Sequence, residues 1–210
     1  EGTIDGNRFQ HGPLKLALVA PAGFRLRNTP DALIASGPGG SSAVLAARPD
    51  SANAEKAFAA IWTEEIGKLA PPPPPIARTI AGLPAVEGRV RSKSASGPVE
   101  IVLTVVRWPG SGVITLLSVD PAGTAQASLA SLRASLRRLT AEEADAIPVR
   151  RIQVIDATPR DTIASLSARM AYRDHAEARF RVLNALPKAG GSLGRGPFKI
   201  VVWSNGHGLP

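Results

Sequence analysis

Histidines and carboxylates are the residues of this chain that could bind a metal or transfer a proton, since cysteine is absent. The three histidines are His11, His175 and His207, and none stands in His-Glu-x-x-His, the spacing that places two zinc ligands on one helical face. The nearest string, His175-Ala176-Glu177, lacks the second histidine. Zinc bound without cysteine would need ligands from distant parts of the chain. We therefore predict no metal site in this chain and assign His175 to the polar first turn of a helix.

Two other patterns that could carry chemistry are better explained as surface structure. The glycine-rich stretch 37–42 has no phosphate-binding lysine after it, so we interpret it as a hairpin loop. Adjacent carboxylates occur at Glu64-Glu65 and Glu142-Glu143, but neighbouring side chains on a helix point apart and do not converge on one substrate. The sequence predicts no catalytic residue in this chain.

The composition limits the chain to one medium or two small hydrophobic cores. Of its 210 residues 44% are hydrophobic but only 4% are aromatic, so aliphatic side chains must fill the core. No apolar run reaches the roughly 18 residues of a membrane span, and we predict none. No signal peptide is visible, and the chain begins with Glu1 instead of Met. We interpret it as a processed or excised piece of a longer protein.

The net charge of +8 is concentrated in the C-terminal part of the chain. Residues 1–147 carry 15 Lys and Arg against 13 Asp and Glu, a difference of +2, whereas residues 148–210 carry 10 against 4, a difference of +6. A basic patch can bind nucleic acid, an anionic membrane surface or an acidic polymer. Because the arginines are scattered and few aromatic residues are interleaved for stacking on bases, we predict a solvated basic face and no nucleic-acid partner.

The elements that would position any site begin with an α+β domain over residues 1–145, in which short apolar strands accompany two amphipathic helices. The first helix is predicted from Asn53 to about Leu69, and the prolines at 71–75 prevent its continuation. The second is predicted from Thr124 to about Arg138. The predicted strands are 14–19, 31–36, 43–47, 83–92, 99–108 and 112–119, with hairpin turns at 94–97 and 109–112.

Apolar side chains fall on defined faces of these elements. The first helix has an apolar face made of Phe58, Ile61, Trp62, Ile66 and Leu69. The second helix buries Ala125, Leu129, Leu132 and Leu136. The strand at 99–108 is apolar on both faces, so both should be covered. Two helices packed on one antiparallel sheet is the simplest arrangement that buries all these faces, and its outline is similar to the PsbP-like α/β sandwiches.

A second module is predicted at 150–203, after a short linker at 140–149 and before a flexible tail at 204–210. A β-branched stretch leads into Thr158-Pro159-Arg160-Asp161, which offers a helix N-cap, a proline at the first helical position and a carboxylate three residues on. A second helix start is predicted at 174–177, where Asp caps and Glu follows three residues later. A closing strand at 199–202 completes the order strand, helix, helix, strand.

The strings 154–166, 180–186, 193–194 and 199–202 carry the resemblance of this module to a known family. Their order resembles the LysM domain, a small βααβ module that binds glycans containing N-acetylglucosamine, such as peptidoglycan. In that family the ligand lies between the loop after the first strand and the loop after the second helix. The resemblance implies a groove between 160–163 and 184–187, with Arg160 where a LysM domain usually has glycine. Its candidate glycan-binding residues are Asp161, Thr162, Ile163, Asn184, Ala185 and Leu186.

The resemblance extends beyond this module, to about residues 2–203. The strings at 6–11, 20–29, 82–85, 136–144 and 170–174 look like the C-terminal region of bacterial zinc metallopeptidases of the HtpX-like class. This resemblance implies a periplasmic or cell-envelope location. It also implies a larger parent protein whose zinc and His-Glu-x-x-His motif lie upstream of Glu1, so that no cofactor is expected in this chain.

Two functions follow as hypotheses. In the first, the chain is a non-catalytic accessory region of a cell-envelope zinc metallopeptidase and positions the protease or its substrate near peptidoglycan. Its partners would be GlcNAc-containing glycans, its own protease domain and protein clients. In the alternative, the chain is a protein–protein adaptor whose α+β domain presents a sheet edge or groove, and its LysM-like fold is degenerate and binds no glycan.

Overall fold

The computed structural model describes residues 2–49, 53–94, 97–121, 123–172, 174–194 and 196–204. The chain divides into two compact units, residues 1–144 and 145–210. The division falls within the stretch 140–149 predicted as a linker, although part of that stretch is helical. Residues 95–96 of one predicted hairpin turn, and residues 205–210 of the predicted tail with His207, lie outside the described residues. The tail was predicted to begin at Ser204, but Ser204 is buried and ends the last strand of the chain's described part, so that prediction was wrong by one residue.

The first unit is an α+β fold in which every strand pairing is antiparallel, as predicted. Its helices are α1 (Ala54–Ile61), α2 (Gln126–Ala134) and α3 (Ala141–Asp145). Its strands in the described residues are β1 (Gly2–Asp5), β2 (Arg8–His11), β3 (Leu16–Val19), β4 (Arg25–Asn28), β5 (Ala32–Ser36), β6 (Ser42–Arg48), β7 (Ile76–Ile80), β8 (Leu83–Ser94), β9 (Gly97–Arg107), β10 (Val113–Pro121) and β11 (Arg137–Arg138).

These strands form two sheets, where the sequence predicted one. The larger sheet has seven strands in the order β4-β5-β6-β10-β9-β8-β7, and the smaller has four in the order β1-β2-β3-β11. Five strands of the described residues were not predicted, namely β1, β2, β4, β7 and β11. Most of their side chains are polar or at least partly exposed, so they lack the alternation that marks a half-buried strand.

Both faces of the seven-stranded sheet are covered, as β9 makes clear. Its odd-numbered residues from 99 to 105 are buried in an apolar cluster with Trp62, which follows α1. Its even-numbered residues from 100 to 106 are buried as well, and Val106 lies in a second cluster with Leu132 of α2. The two helices therefore pack on opposite faces of this sheet.

The first helix differs from its prediction at the C-terminal end. After α1 the chain continues as a π-helical turn at Trp62–Ile66, and the Nε1 of Trp62 donates a hydrogen bond to the carbonyl of Ala70 at 3.0 Å. Leu69, predicted on the buried face, is 51% exposed. A π turn holds more residues than an α turn, so it rotates the following residues off the helical face.

The second helix also ends earlier than predicted, at Ala134 instead of near Arg138. Ser135 follows it and bonds to β3, since its Oγ accepts from the N–H of Val19 at 3.0 Å and donates to the carbonyl of Val19 at 2.9 Å. Arg137 and Arg138 then pair with Ala17 and Leu16 as strand β11. This long-range pairing ends a helix that local propensity would continue.

The second unit has the element order β12 (Val149–Asp156), α4 (Ile163–Ala168), α5 (Ala176–Leu183) and β13 (Pro197–Ser204). The two strands pair antiparallel in a sheet of their own. Leu166 and Phe180, both with no exposed area, are central to its apolar cluster. Among the described residues of the whole chain, no helix has the length and apolar character that crossing a membrane requires.

Candidate functional site

The loop after β12 forms one side of the predicted glycan groove, and it is closed by a reciprocal turn. The Oδ2 of Asp161 accepts hydrogen bonds from the N–H and the hydroxyl of Thr158, both at 2.8 Å, and the N–H of Asp161 donates to the carbonyl of Thr158 at 3.0 Å. The N–H of Thr158 lowers the pKa of the Asp161 carboxyl below its usual value, and the hydroxyl adds to this effect. Asp161 is thus a partly exposed carboxylate whose Oδ2 is engaged by Thr158.

The helix start next to this turn lies four residues later than predicted. Thr158 was predicted as the N-cap, but α4 is capped by Thr162, whose Oγ1 accepts from the N–H of Ser165 at 3.0 Å. The Oγ of Ser165 accepts from the N–H of Thr162 at 2.9 Å and completes a capping box. Similarly, α5 is preceded by His175 in a left-handed conformation (φ 50°), and not by Asp174 as N-cap.

The loop after α5 forms the other side, and Asn184 is wholly engaged there. Its Oδ1 accepts from the N–H of Lys199 at 2.7 Å, and its Nδ2 donates to the carbonyls of Lys199 at 2.8 Å and Phe180 at 3.0 Å. Asn184 was predicted to bond to sugar acetamido groups. In the structure it fastens the end of α5 to β13.

Ala185 and Leu186 close α5 with a Schellman motif. The N–H of Leu186 donates to the carbonyl of Arg181 at 2.8 Å, and the N–H of Ala185 donates to the carbonyl of Val182 at 3.2 Å. Ala185 takes the left-handed conformation (φ 53°) that this motif requires and that glycine adopts without strain. Leu186 lies against the same apolar cluster as Ile163 and Phe180. The structure therefore brings Ile163 and Leu186 to one apolar cluster. Asp161 bonds to Thr158 within its own loop, and Asn184 bonds to Lys199 of β13.

Replacing Ala185 with glycine should stabilise the second unit by about 0.5–1 kcal/mol, because a left-handed alanine is strained by roughly 1–2 kcal/mol and glycine loses part of this gain through its greater unfolded entropy. The matched control is Ala178→Gly within α5, which should destabilise by about 1 kcal/mol. Amide hydrogen exchange at Phe180 and Ile200 measures both effects. Destabilisation by Ala185→Gly would contradict the assignment of the motif.

Arg181 holds the loop that follows the motif, a role that sequence reasoning missed. Its Nε and Nη2 donate to Glu177 at 2.9 and 2.7 Å, and its Nη1 donates to the carbonyls of Pro187 and Gly190 at 2.9 and 2.8 Å. The side chain is only 11% exposed. The i,i+4 spacing of Glu177 and Arg181 was a signal for their ion pair, but not for the two loop carbonyls.

This loop also contains a Gly-x-Ser-x-Gly string at 190–194 that the sequence analysis did not single out. In hydrolases such a string follows a strand and opens a helix, so that the serine stands on a sharp turn. Here it follows α5 and precedes β13, and Ser192 lies exposed in irregular backbone. The structural context of a nucleophile elbow is therefore missing at Ser192.

The first unit contains an open groove of about 1170 Å³ that was not predicted. It runs along β5 and β6, and its polar lining includes His11, Asp31, Arg48 and Glu65. The Nη2 of Arg48 lies 3.3 Å from the Oε1 of Glu65, and the Nδ1 of His11 accepts from the N–H of Leu14 at 3.1 Å. These residues come from separate elements, so only the fold brings them to one groove.

The pH dependence of stability should report on His11. Burial lowers the pKa of His11 below its ordinary value of 6.5. The folded state therefore binds a proton less readily than the unfolded state. The contribution of neutral His11 to the free energy of unfolding is fully present above pH 6.5, and it is lost as the pH falls below 6.5 towards the folded pKa. Urea unfolding at about pH 7.5 and about pH 5.5 should show this loss, and His11→Gln should reduce it. An identical loss in the variant would assign the effect elsewhere.

Within the ranges that the structure describes, no group of three or more His, Asp or Glu side chains could hold a metal ion.

Comparison with known proteins returned structural neighbours only. No protein-family model and no curated protein matches the chain. A crystal structure from Bacteroides thetaiotaomicron VPI-5482 is 12% identical, with 74% of this chain and 55% of that chain covered and a TM-score of 0.48. LpqN of Mycobacterium tuberculosis, involved in cell envelope biogenesis, is 13% identical, with 60% and 83% covered and a TM-score of 0.45.

A third neighbour is the cyanobacterial PsbP (CyanoP) of Synechocystis sp. PCC 6803 in solution, 11% identical, with 65% of this chain and 98% of that chain covered and a TM-score of 0.44. All three TM-scores lie below 0.5, so we draw neither fold nor function from these neighbours. The antiparallel α+β architecture rests on the strand pairings described above, and the PsbP-like outline stays a prediction.

Proposed function

We propose that this chain is a non-catalytic accessory region of a cell-envelope zinc metallopeptidase and holds the enzyme or its substrate near peptidoglycan. The zinc chemistry would belong to the protease domain of the parent protein, and this chain would supply no metal ligand. The proposed location is the periplasm or the cell envelope.

The observation that carries this proposal is the arrangement of the second unit. Its order is strand, helix, helix, strand, its two strands pair antiparallel, and its two connecting loops pack on one apolar cluster through Ile163 and Leu186. A LysM-like module would hold its glycan between these two loops. The Thr162 hydroxyl, the Asp161 carboxylate and exposed backbone groups at Ala185 would bond to hydroxyl and acetamido groups, and Leu186 would contact the acetamido methyl.

The test is a titration of the whole protein with chito-oligosaccharides, followed by amide chemical shifts. We expect shifts at Thr162 and Ala185 at millimolar sugar and none around the groove of the first unit. Cello-oligosaccharides, which share the β-1,4 backbone but lack the acetamido group, are the matched ligand and should shift these amides less. An unchanged spectrum with both sugars, together with no retention on insoluble peptidoglycan at low salt, would exclude glycan binding.

One observation favours the alternative, a protein–protein adaptor without glycan binding. All three hydrogen bonds of the Asn184 side chain serve the fold, which removes one polar group from the glycan site. In an adaptor, the same two loops would stabilise the second unit and bind no glycan. Retention of a protein client, together with unchanged amide shifts of the two loops on addition of sugars, would support the adaptor.

A further inference from the structure

Four side chains of the second unit form a continuous stack of alternating rings and cations, which we call the cation–aromatic stack: Trp203, Arg150, Tyr172 and Arg179. The Cζ of Arg150 lies 4.8 Å from the ring centroid of Trp203 and 4.7 Å from that of Tyr172. The Cζ of Arg179 lies 4.6 Å from the same tyrosine ring. Each distance is within the range of an attractive cation–π contact.

The stack holds the Arg150 guanidinium ready for an anionic ligand. Its Cζ lies over the rings of Tyr172 and Trp203, and a guanidinium stacked on rings keeps its N–H donors available in its own plane, where it binds carboxylates bidentately. In the part of the chain that the structure describes, no carboxylate pairs with Arg150. Arg179 makes two long contacts of 3.4 Å with Asp174, from its Nη2 to the Oδ2 and from its Nε to the carbonyl, and the Asp174 carboxylate can be displaced because its side chain is 66% exposed.

Apolar side chains continue this surface. Ile152 follows Arg150 at the i+2 position of β12, so both lie on the same face of the strand, and Ile152 is 61% exposed. Its cross-strand partner Val201 lines a shallow groove of about 350 Å³ beside α5. Val182 stands at the edge of this groove and is 83% exposed. Cations and aliphatic side chains are thus exposed side by side.

We propose that this face binds an acidic, amphipathic peptide segment of a partner protein. Aspartate or glutamate side chains of the segment would pair with Arg150 and Arg179, and its aliphatic side chains would pack on Ile152 and Val182. The excess of +6 over residues 148–210 would attract such a segment. Nucleic acid and sugars fit less well, because two guanidinium groups already lie over the Tyr172 ring and Trp203, 49% exposed, is the ring of the stack that remains for stacking.

The proposed peptide site is separate from the proposed glycan groove. Arg150 lies near the start of β12, whereas Thr158 follows the end of this strand, eight residues and about 26 Å of extended chain away. On the partner strand, Trp203 pairs with Arg150, while Asn184 of the glycan loop bonds to Lys199. The two proposals can therefore fail independently.

The test uses the whole protein and a fluorescein-labelled peptide of about 12 residues that alternates glutamate and leucine, followed by fluorescence polarisation. We expect Arg150→Gln to raise Kd about tenfold or more, and Arg150→Lys, which keeps the charge but loses the planar fork, to raise it by an intermediate factor. The matched control is Arg151→Gln. It removes the same charge from the opposite face of β12 and should change Kd less than about twofold.

Two further measurements keep the proposal falsifiable. Val182→Ser should weaken peptide binding severalfold. Because the Val182 side chain is too exposed to contribute to folding, this variant still tests the proposal if Arg150→Gln unfolds the unit. An oligothymidylate of equal charge should compete poorly. Equal losses in Arg150→Gln and Arg151→Gln, no peptide binding by the natural protein, or tighter binding of the oligonucleotide at Arg150 would each overturn the proposal.

Discussion

Replacing Arg133 with methionine should destabilise the first unit by about 3 kcal/mol, because it leaves the largely buried Glu87 carboxylate, 14% exposed, with the 44% exposed Arg78 as its remaining cationic partner. Arg133 on α2 is buried against the seven-stranded sheet. Its Nε lies 3.6 Å from the Oε2 of Glu87, and its Nη1 donates to the Oγ of Ser118 at 3.0 Å. Burial lowers the pKa of this guanidinium, whereas the charge of Glu87 raises it.

The design separates this buried network from ordinary surface pairs. Arg137→Met removes an ion pair with Glu143 whose side chains are 44% and 41% exposed, and it should cost less than about 1 kcal/mol. Adding Glu87→Gln to Arg133→Met should restore part of the lost stability, since it removes the carboxylate charge that Arg133 had neutralised. Urea unfolding monitored by the buried Trp62 and Trp108 measures the first unit. Equal losses of unfolding free energy in Arg133→Met and Arg137→Met would show that burial does not strengthen the Arg133 network.

Replacing Gly112 with alanine should also cost about 3 kcal/mol or more. Gly112 ends the hairpin turn between β9 and β10, where its carbonyl accepts from the N–H of Trp108 at 2.9 Å. Its φ is +71°, and an added Cβ would meet the carbonyl oxygens of Arg48 and Pro49 at 2.3 and 2.5 Å. The left-handed backbone accounts for about 1–2 kcal/mol, and moving β6 backbone away from the methyl group accounts for a further 1–3 kcal/mol or so.

Gly110 in the same turn is the matched control. Its φ is +77°, but nothing lies within 4 Å of an added Cβ. Gly110→Ala should therefore cost only the backbone strain, about 1–2 kcal/mol. The difference between the two variants in the same urea experiment isolates the close approach of β6. If both alanine variants lost the same stability, the close approach would be absent in solution.

Several parts of the fold could be predicted because their signal is local. The apolar side chains of α1 recur at helical spacing, and those of β9 fill both faces, so their burial follows from the sequence. The turn at 109–112 needs two left-handed glycines, which its Pro-Gly-Ser-Gly sequence provides. The order of strands and helices in the second unit could be predicted for the same reason, since each element has its own hydrophobic period and is bounded by cap or turn residues.

Other features depend on partners far away in the sequence. Ser135 ends α2 because Val19, 116 residues earlier, is placed beside it. Asn184 was interpreted as a sugar ligand, but the arrival of Lys199 engages its amide. Arg133 and Glu87 lie on a helix and a strand with no shared motif. In each case the side chain could serve two roles, and the neighbour across the fold decides which one it takes.

The sequence by itself determined the principal helices and strands and most of the faces that they bury, because helix and strand periodicity and turns are properties of neighbouring residues. The tertiary structure alone decided where those faces meet. It placed α1 and α2 on opposite sides of one sheet, and it brought two arginines over the ring of Tyr172. It also gave some predicted site residues, such as Asn184, a structural role. Hydrogen bonds and ion pairs require atoms a few ångströms apart, and the spacing of residues along the sequence does not give these distances.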